Sequence, residues 1–206
     1  MARYLDLRLS SPVPHAMSYF VPHSGVARAL ELLDASLESL MAEEAYFALL
    51  YFYGPAGVGK THLIDARFAP AIERGFALRR LEICDLDEPS FVGAYEETKG
   101  RGGILAVESR QPPSGCGLSS HLGSRLRSAC SVALSYPSEE EFLPIFLSLL
   151  ERYDVRLSKR CVGYMMRRLP LNPSVFASTI SELSAISFSR RRPVGLGVLR
   201  ELLGGA

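Results

Sequence analysis

One eight-residue string, Gly54-Pro55-Ala56-Gly57-Val58-Gly59-Lys60-Thr61, constrains this chain more than anything else in it. It satisfies the spacing G-x-x-x-x-G-K-[ST] without substitution. Its glycines let consecutive backbone N–H groups turn inward around an anion. Lys60 brings a positive charge to the β/γ-phosphates, and Thr61 brings a hydroxyl suited to Mg2+. The flanking residues narrow the fold. Ala48-Leu49-Leu50-Tyr51-Phe52-Tyr53 is an unbroken apolar run, as expected of a parallel strand buried on both faces. Thr61-His62-Leu63-Ile64-Asp65-Ala66 opens a helix whose positive end faces the phosphates. Strand, loop and helix in this order predict a parallel α/β sheet and a site for a nucleoside di- or triphosphate, against the plainer reading of a chance glycine-rich turn.

Composition excludes several other classes. With 206 residues and 48% hydrophobic content the chain can bury a core of one or two small domains. A formal net charge of +1 gives no overall field for nucleic acid. The densest basic run, Arg190-Arg191-Arg192, reads as a solvated turn before a last helix. Cys84, Cys116, Cys130 and Cys161 form no C-x-x-C pair, so neither a zinc site nor a disulfide framework is indicated. There is no leader-like segment, nor an apolar stretch of the roughly 18 residues a membrane helix needs, and a reducing cytoplasm is the expected compartment.

The order of elements suggests two units. Val26, Ala29, Leu30, Leu33, Leu37 and Leu40 recur at helical spacing. Residues 79–102 read as irregular, and Gly103-Ile104-Leu105-Ala106-Val107 is a second buried strand. Ser131-Val132-Ala133-Leu134 suits a further short strand. After Pro137 the character turns helical: Ser138 and Glu141 form a capping box, Pro144 bends the helix or sets its first turn, and helices are expected over 157–169, 175–188 and 194–203. Residues 1–136 are therefore expected to form a nucleotide-binding α/β domain and residues 137–206 a small helical lid.

These strings in this order resemble the AAA+ ATPases of the bacterial DnaA initiator group. The carrying residues are Tyr19-Phe20-Val21, the phosphate loop with His62 and Leu63, Ile104 to Pro113 (ILAVESRQPP), Ser124-Arg125-Leu126 and Tyr136-Pro137-Ser138-Glu139-Glu140. The likeness covers about residues 3–203. It is nearest to the Hda-like members, DnaA-related regulators without the DNA-binding domain that in DnaA would follow a stretch like this one. The resemblance implies an AAA+ fold with a parallel sheet, here shortened, and ADP or ATP with Mg2+ as cofactors. It implies nucleotide contacts from Gly54, Pro55, Ala56, Gly57, Val58, Gly59, Lys60, Thr61 and His62, with Val21 packed on the adenine; ordinary core packing is the plain alternative for Val21 and for His62. Tyr51 and Tyr53 are expected to pack against lid or sheet.

Arg125 falls on the family's arginine-finger position, from which a planar, permanently charged guanidinium would reach a neighbour's γ-phosphate. A surface arginine beside a helix is the alternative. Leu5, Leu7 and Leu9 match an N-terminal peptide that docks on the sliding clamp of DNA polymerase III, with Tyr4 where the family has glutamine; an edge strand would look the same.

Other positions depart from the pattern. The nearest string to the acidic Walker B strand is Leu81-Glu82-Ile83-Cys84-Asp85-Leu86-Asp87-Glu88, which makes Asp85 the candidate Mg2+ ligand beside Thr61. It lies only 25 residues after Lys60, as if a strand–helix unit were missing. The lid's sensor-2 position falls on Leu171, with Arg167 or Arg168 as substitutes, and Glu108 is a polar sensor or an exposed strand end. These departures favour nucleotide binding as a structural or conformational element over rapid hydrolysis by the chain itself, while the resemblance implies a replication regulator that promotes hydrolysis of ATP bound to DnaA. The alternatives are a degenerate adaptor that binds nucleotide and tethers partners, and a small-molecule kinase.

Overall fold

The computed structural model describes residues 20–42, 46–83, 87–115, 120–190 and 194–204. Leu5, Leu7, Leu9, Cys84, Asp85, Cys116, Arg191 and Arg192 lie outside the described residues. Four parallel strands form the sheet: β1 (Ala48–Tyr53), β2 (Ala77–Glu82), β3 (Gly103–Ser109) and β4 (Cys130–Ala133), in the order β2-β3-β1-β4. Helices α1 (Ala27–Ala42), α2 (Lys60–Glu73), α3 (Glu88–Gly100) and α4 (Ser120–Arg127) belong with the sheet, and α5 (Glu139–Arg152), α6 (Lys159–Arg168), α7 (Pro173–Arg190) and α8 (Leu196–Leu203) follow it.

The unbroken apolar run of β1 is explained by its two buried faces. Successive side chains alternate across a strand. Leu50 and Phe52 join Leu33, Leu63, Ile64 and Phe68 on one side, while Leu49 and Tyr51 join Phe91, Ala94, Leu122 and Leu126 on the other. Strand β3 divides the same way, Ile104 and Ala106 against Leu105 and Val107. Central strands β1 and β3 are thereby fixed in register, Phe52 beside Glu108 and Tyr53 beside Ser109.

The helices after Pro137 have a separate core. Phe176 of α7 packs edge-on against Phe142 and Phe146 of α5, with ring centroids 4.7 and 4.9 Å away, and Met165, Ile180, Leu183 and Leu199 complete the cluster. The capping box at Ser138 and Glu141 starts α5, and Pro144 is accommodated inside that helix. The carboxylate of Glu141 also accepts from Ser24 N at 2.7 Å and Ser24 Oγ at 2.9 Å, which ties α5 to the turn that precedes α1.

Residues 79–102 are not irregular as expected: they hold most of β2 and all of α3. Strand β2 ends at Glu82, so Leu81 and Glu82 close a strand rather than open one. The reason is pairing: Ala77 to Glu82 run parallel to Gly103 to Glu108, and β3 itself ends one residue later, at Ser109. Among the described residues no helix is long and apolar enough to cross a membrane.

Candidate functional site

The loop between β1 and α2 lies at the carboxyl end of the parallel strands, where open α/β sheets place ligands. Its backbone needs glycine. At Gly54 φ is +152°, and a Cβ would lie 2.3 Å from the carbonyl oxygen of Leu134. At Gly57 φ is +77°, and a Cβ would lie 2.5 Å from Asn172 Oδ1. Val58, between the glycines, is buried in the core under α1 and α2 and anchors the loop.

Lys60 donates to the carbonyls of Gly54 and Pro55 at 2.8 and 3.0 Å, so its ammonium is held within the loop. Burial pushes its pKa down; Glu108 and Glu82 oppose this, and Arg110 adds to it. Thr61 donates its hydroxyl to Glu108 Oε2 at 2.9 Å. The other oxygen of Glu108 accepts from Arg80 of β2, whose Nε donates to Asp65 Oδ1 of α2 at 2.7 Å. Glu108 is buried, so it is a paired internal carboxylate and not an exposed strand end.

A cleft of about 380 Å³ opens above the loop. Its floor includes Gly57, Gly59, Lys60, Thr61, Glu82 and Glu108, and Arg110 stands at its side. The helical unit closes it with Leu149, Arg152 and Tyr153 from the end of α5 and with Pro173, Ser174 and Ala177 from the start of α7. Two side chains stitch the units together. Tyr136 donates its hydroxyl to the carbonyl of Ala56 at 2.6 Å, and Asn172 Nδ2 donates to that hydroxyl at 3.2 Å.

Of the other candidates, only His62 lies on the cleft among the described residues. His62 lines the cleft and meets the edge of the Phe20 ring at 5.4 Å. Val21 packs against the core of the helical unit. Leu171 does the same, and Arg168 stacks over Tyr164 at 5.8 Å, so among the described residues the basic group that α5–α7 bring to the cleft is Arg152. Tyr51 and Tyr53 pack beneath α3 and α4. Arg125 is not on the cleft: its guanidinium sits 5.4 Å over the Tyr95 ring and 3.9 Å from Glu96 of α3. Sequence reasoning missed Arg80, Arg110, Arg152 and Asn172. Of these only Arg152, a basic residue closing an amphipathic helix, carries a signal that patterning registers.

No protein-family model matches the chain. It is 23% identical to the chromosomal replication initiator protein DnaA of Acinetobacter baumannii over 199 residues, a match covering 75% of this chain and 42% of that protein. The chain thus spans under half the length of the curated relatives it matches. Its fold superposes on domain III of Thermotoga maritima DnaA with a TM-score of 0.74 at 18% identity, covering 92% of this chain and 95% of that one. AMPPCP-bound DnaA from Aquifex aeolicus matches with a TM-score of 0.64 at 16% identity, covering 84% of this chain and 65% of that one. The chain is thus similar in sequence to DnaA initiators and shares the fold of DnaA domain III.

Proposed function

We propose that the chain is a nucleotide-binding regulator of replication initiation, which holds ADP or ATP in the Gly54–Thr61 loop and promotes hydrolysis of ATP bound to DnaA. The observation that carries the first part is the cleft itself. A complete phosphate loop, with Lys60 half-buried inside it, faces Arg152 and Tyr153 across a space roofed by the helical unit. A DnaA whose fold matches this one was solved with AMPPCP bound, which supports the same ligand class here.

The second part rests on Arg125. It stands outside its own cleft, at the end of α4, with about a third of its side chain exposed. A guanidinium so placed cannot act on the chain's own nucleotide without giving up its contacts with Tyr95 and Glu96 of α3, whereas its exposed part is open to a neighbouring subunit. In this reading the neighbour is DnaA, and Leu5, Leu7 and Leu9 hold the sliding clamp. Mg2+ accompanies the nucleotide through Thr61.

The test loads DnaA with labelled ATP and follows conversion to ADP beside DNA-loaded clamp, with wild-type chain, Arg125→Ala or no addition. Acceleration that disappears with Arg125→Ala supports a finger supplied in trans, for which losses of about a thousandfold or more are typical. Equal conversion in all three reactions overturns it and favours the tethering adaptor, a reading that the unusual acidic strand already supports.

A further inference from the structure

We propose that Glu108, in preference to Glu82, is the carboxylate that shares Mg2+ with Thr61 when a nucleoside triphosphate occupies the loop. The inference rests on the nucleotide-binding reading above and assigns its metal ligand to a different residue from the one the sequence suggested.

Position is the first support. Strand β3 lies directly beside β1, and Glu108 is the register partner of Phe52, two residues before Gly54. Glu82 is one strand further out and exposed, although it lies level with Glu108. Burial is the second. The Glu108 side chain is 3% exposed, and a carboxylate withdrawn from water is costly unless paired and hydrogen-bonded. Its partners are the Thr61 hydroxyl and the Arg80 guanidinium.

Donor chemistry is the third. A threonine hydroxyl and a carboxylate oxygen 2.9 Å apart are hard oxygens of the kind Mg2+ takes beside substrate phosphates. Arg80 explains how the carboxylate is tolerated without metal. It supplies the compensating charge, and Asp65 gives it a second anion to keep when a divalent cation draws on Glu108.

The experiment measures Mn2+ binding to the full chain by electron paramagnetic resonance in the presence of ATP, together with ATP affinity in the absence of any divalent ion. Variants are Glu108→Gln, Glu82→Gln and Asp85→Asn. The proposal expects Glu108→Gln to weaken Mn2+ by at least about tenfold. Its metal-free ATP affinity should be retained or increased, and the other two variants should resemble wild type. Should Glu108→Gln fail to fold because Arg80 loses its partner, the double variant Arg80→Gln/Glu108→Gln removes both charges and is read in the same way. Full Mn2+ affinity in the Glu108 variant, or loss confined to Asp85→Asn, overturns the assignment. Absence of ADP and ATP binding by the wild type, with and without divalent ion, would instead defeat the nucleotide-binding reading beneath it.

Discussion

Thr61 donates its hydroxyl to Glu108 at 2.9 Å, so the phosphate loop is tied to the strand beside it. Replacing Thr61 by Val keeps the shape and removes the donor. Glu108 then holds only Arg80, and an unmet buried acceptor costs about 1–3 kcal/mol. Chemical denaturation of Thr61→Val should show a lower midpoint with an unchanged slope; an unchanged midpoint would mean the bond contributes nothing to the fold.

Tyr136 and Asn172 set how firmly the helical unit sits over the loop. Tyr136→Phe removes the 2.6 Å bond to Ala56 and the 3.2 Å bond from Asn172. A hydrogen bond of this kind contributes a net of about 0.5–1.5 kcal/mol. Global stability should fall by that order, and amide exchange at the start of α7 should quicken. Exchange that speeds equally in α1 would show that the effect is not local to α7.

Gly57→Ala tests the same junction from the other side. The new Cβ meets Asn172 Oδ1 at 2.5 Å and forces alanine to φ +77°. Left-handed backbone at a residue other than glycine costs about 1–3 kcal/mol. Melting temperature and nucleotide affinity should both drop. A variant that loses neither would contradict the close seating of Asn172 on the loop.

Glu141 makes stability depend on acid. Hydrogen bonds from Ser138 and Ser24 lower its pKa from 4.5 to about 2. Because the folded value is the depressed one, its contribution is complete above 4.5 and is lost as pH falls through that range toward about 2. Melting curves of wild type and Glu141→Gln should therefore differ at neutral pH and converge as pH falls from 4.5 toward about 2. A constant difference would remove Glu141 from the junction between the turn at Ser24 and α5.

The parts of the fold legible in sequence are those where one signal suffices. The run from Ala48 to Tyr53 is apolar because both its faces are covered, and Gly54 to Thr61 is specified by backbone geometry. Strand β2 gives the opposite case. Its Ala-Leu-Arg-Arg-Leu-Glu string looks like a charged loop because Arg79 pairs with Glu97 of α3 and Arg80 with Asp65 and Glu108. Those partners lie 15 to 28 positions away, where periodicity cannot register them. Helix α3 hides for a related reason: Pro89, Gly93 and a run of polar residues blur its apolar face, although Asp87 caps it. The basic group at the cleft shows the same limit. Sensor-2 reasoning pointed to Leu171, with Arg167 or Arg168 as substitutes, whereas Leu171 packs in the helical core, Arg167 is exposed, Arg168 lies over Tyr164, and Arg152 of α5 lines the cleft.

The most direct test of the account is calorimetric titration of the full chain with ADP and with ATP, wild type against Lys60→Ala. The cleft requires that the wild type bind at least one of the two and that Lys60→Ala lose about tenfold or more in affinity, which corresponds to about 1.4 kcal/mol, while circular dichroism shows the fold intact. A wild-type chain that binds neither nucleotide, or a Lys60→Ala variant that binds as tightly as wild type, would contradict it.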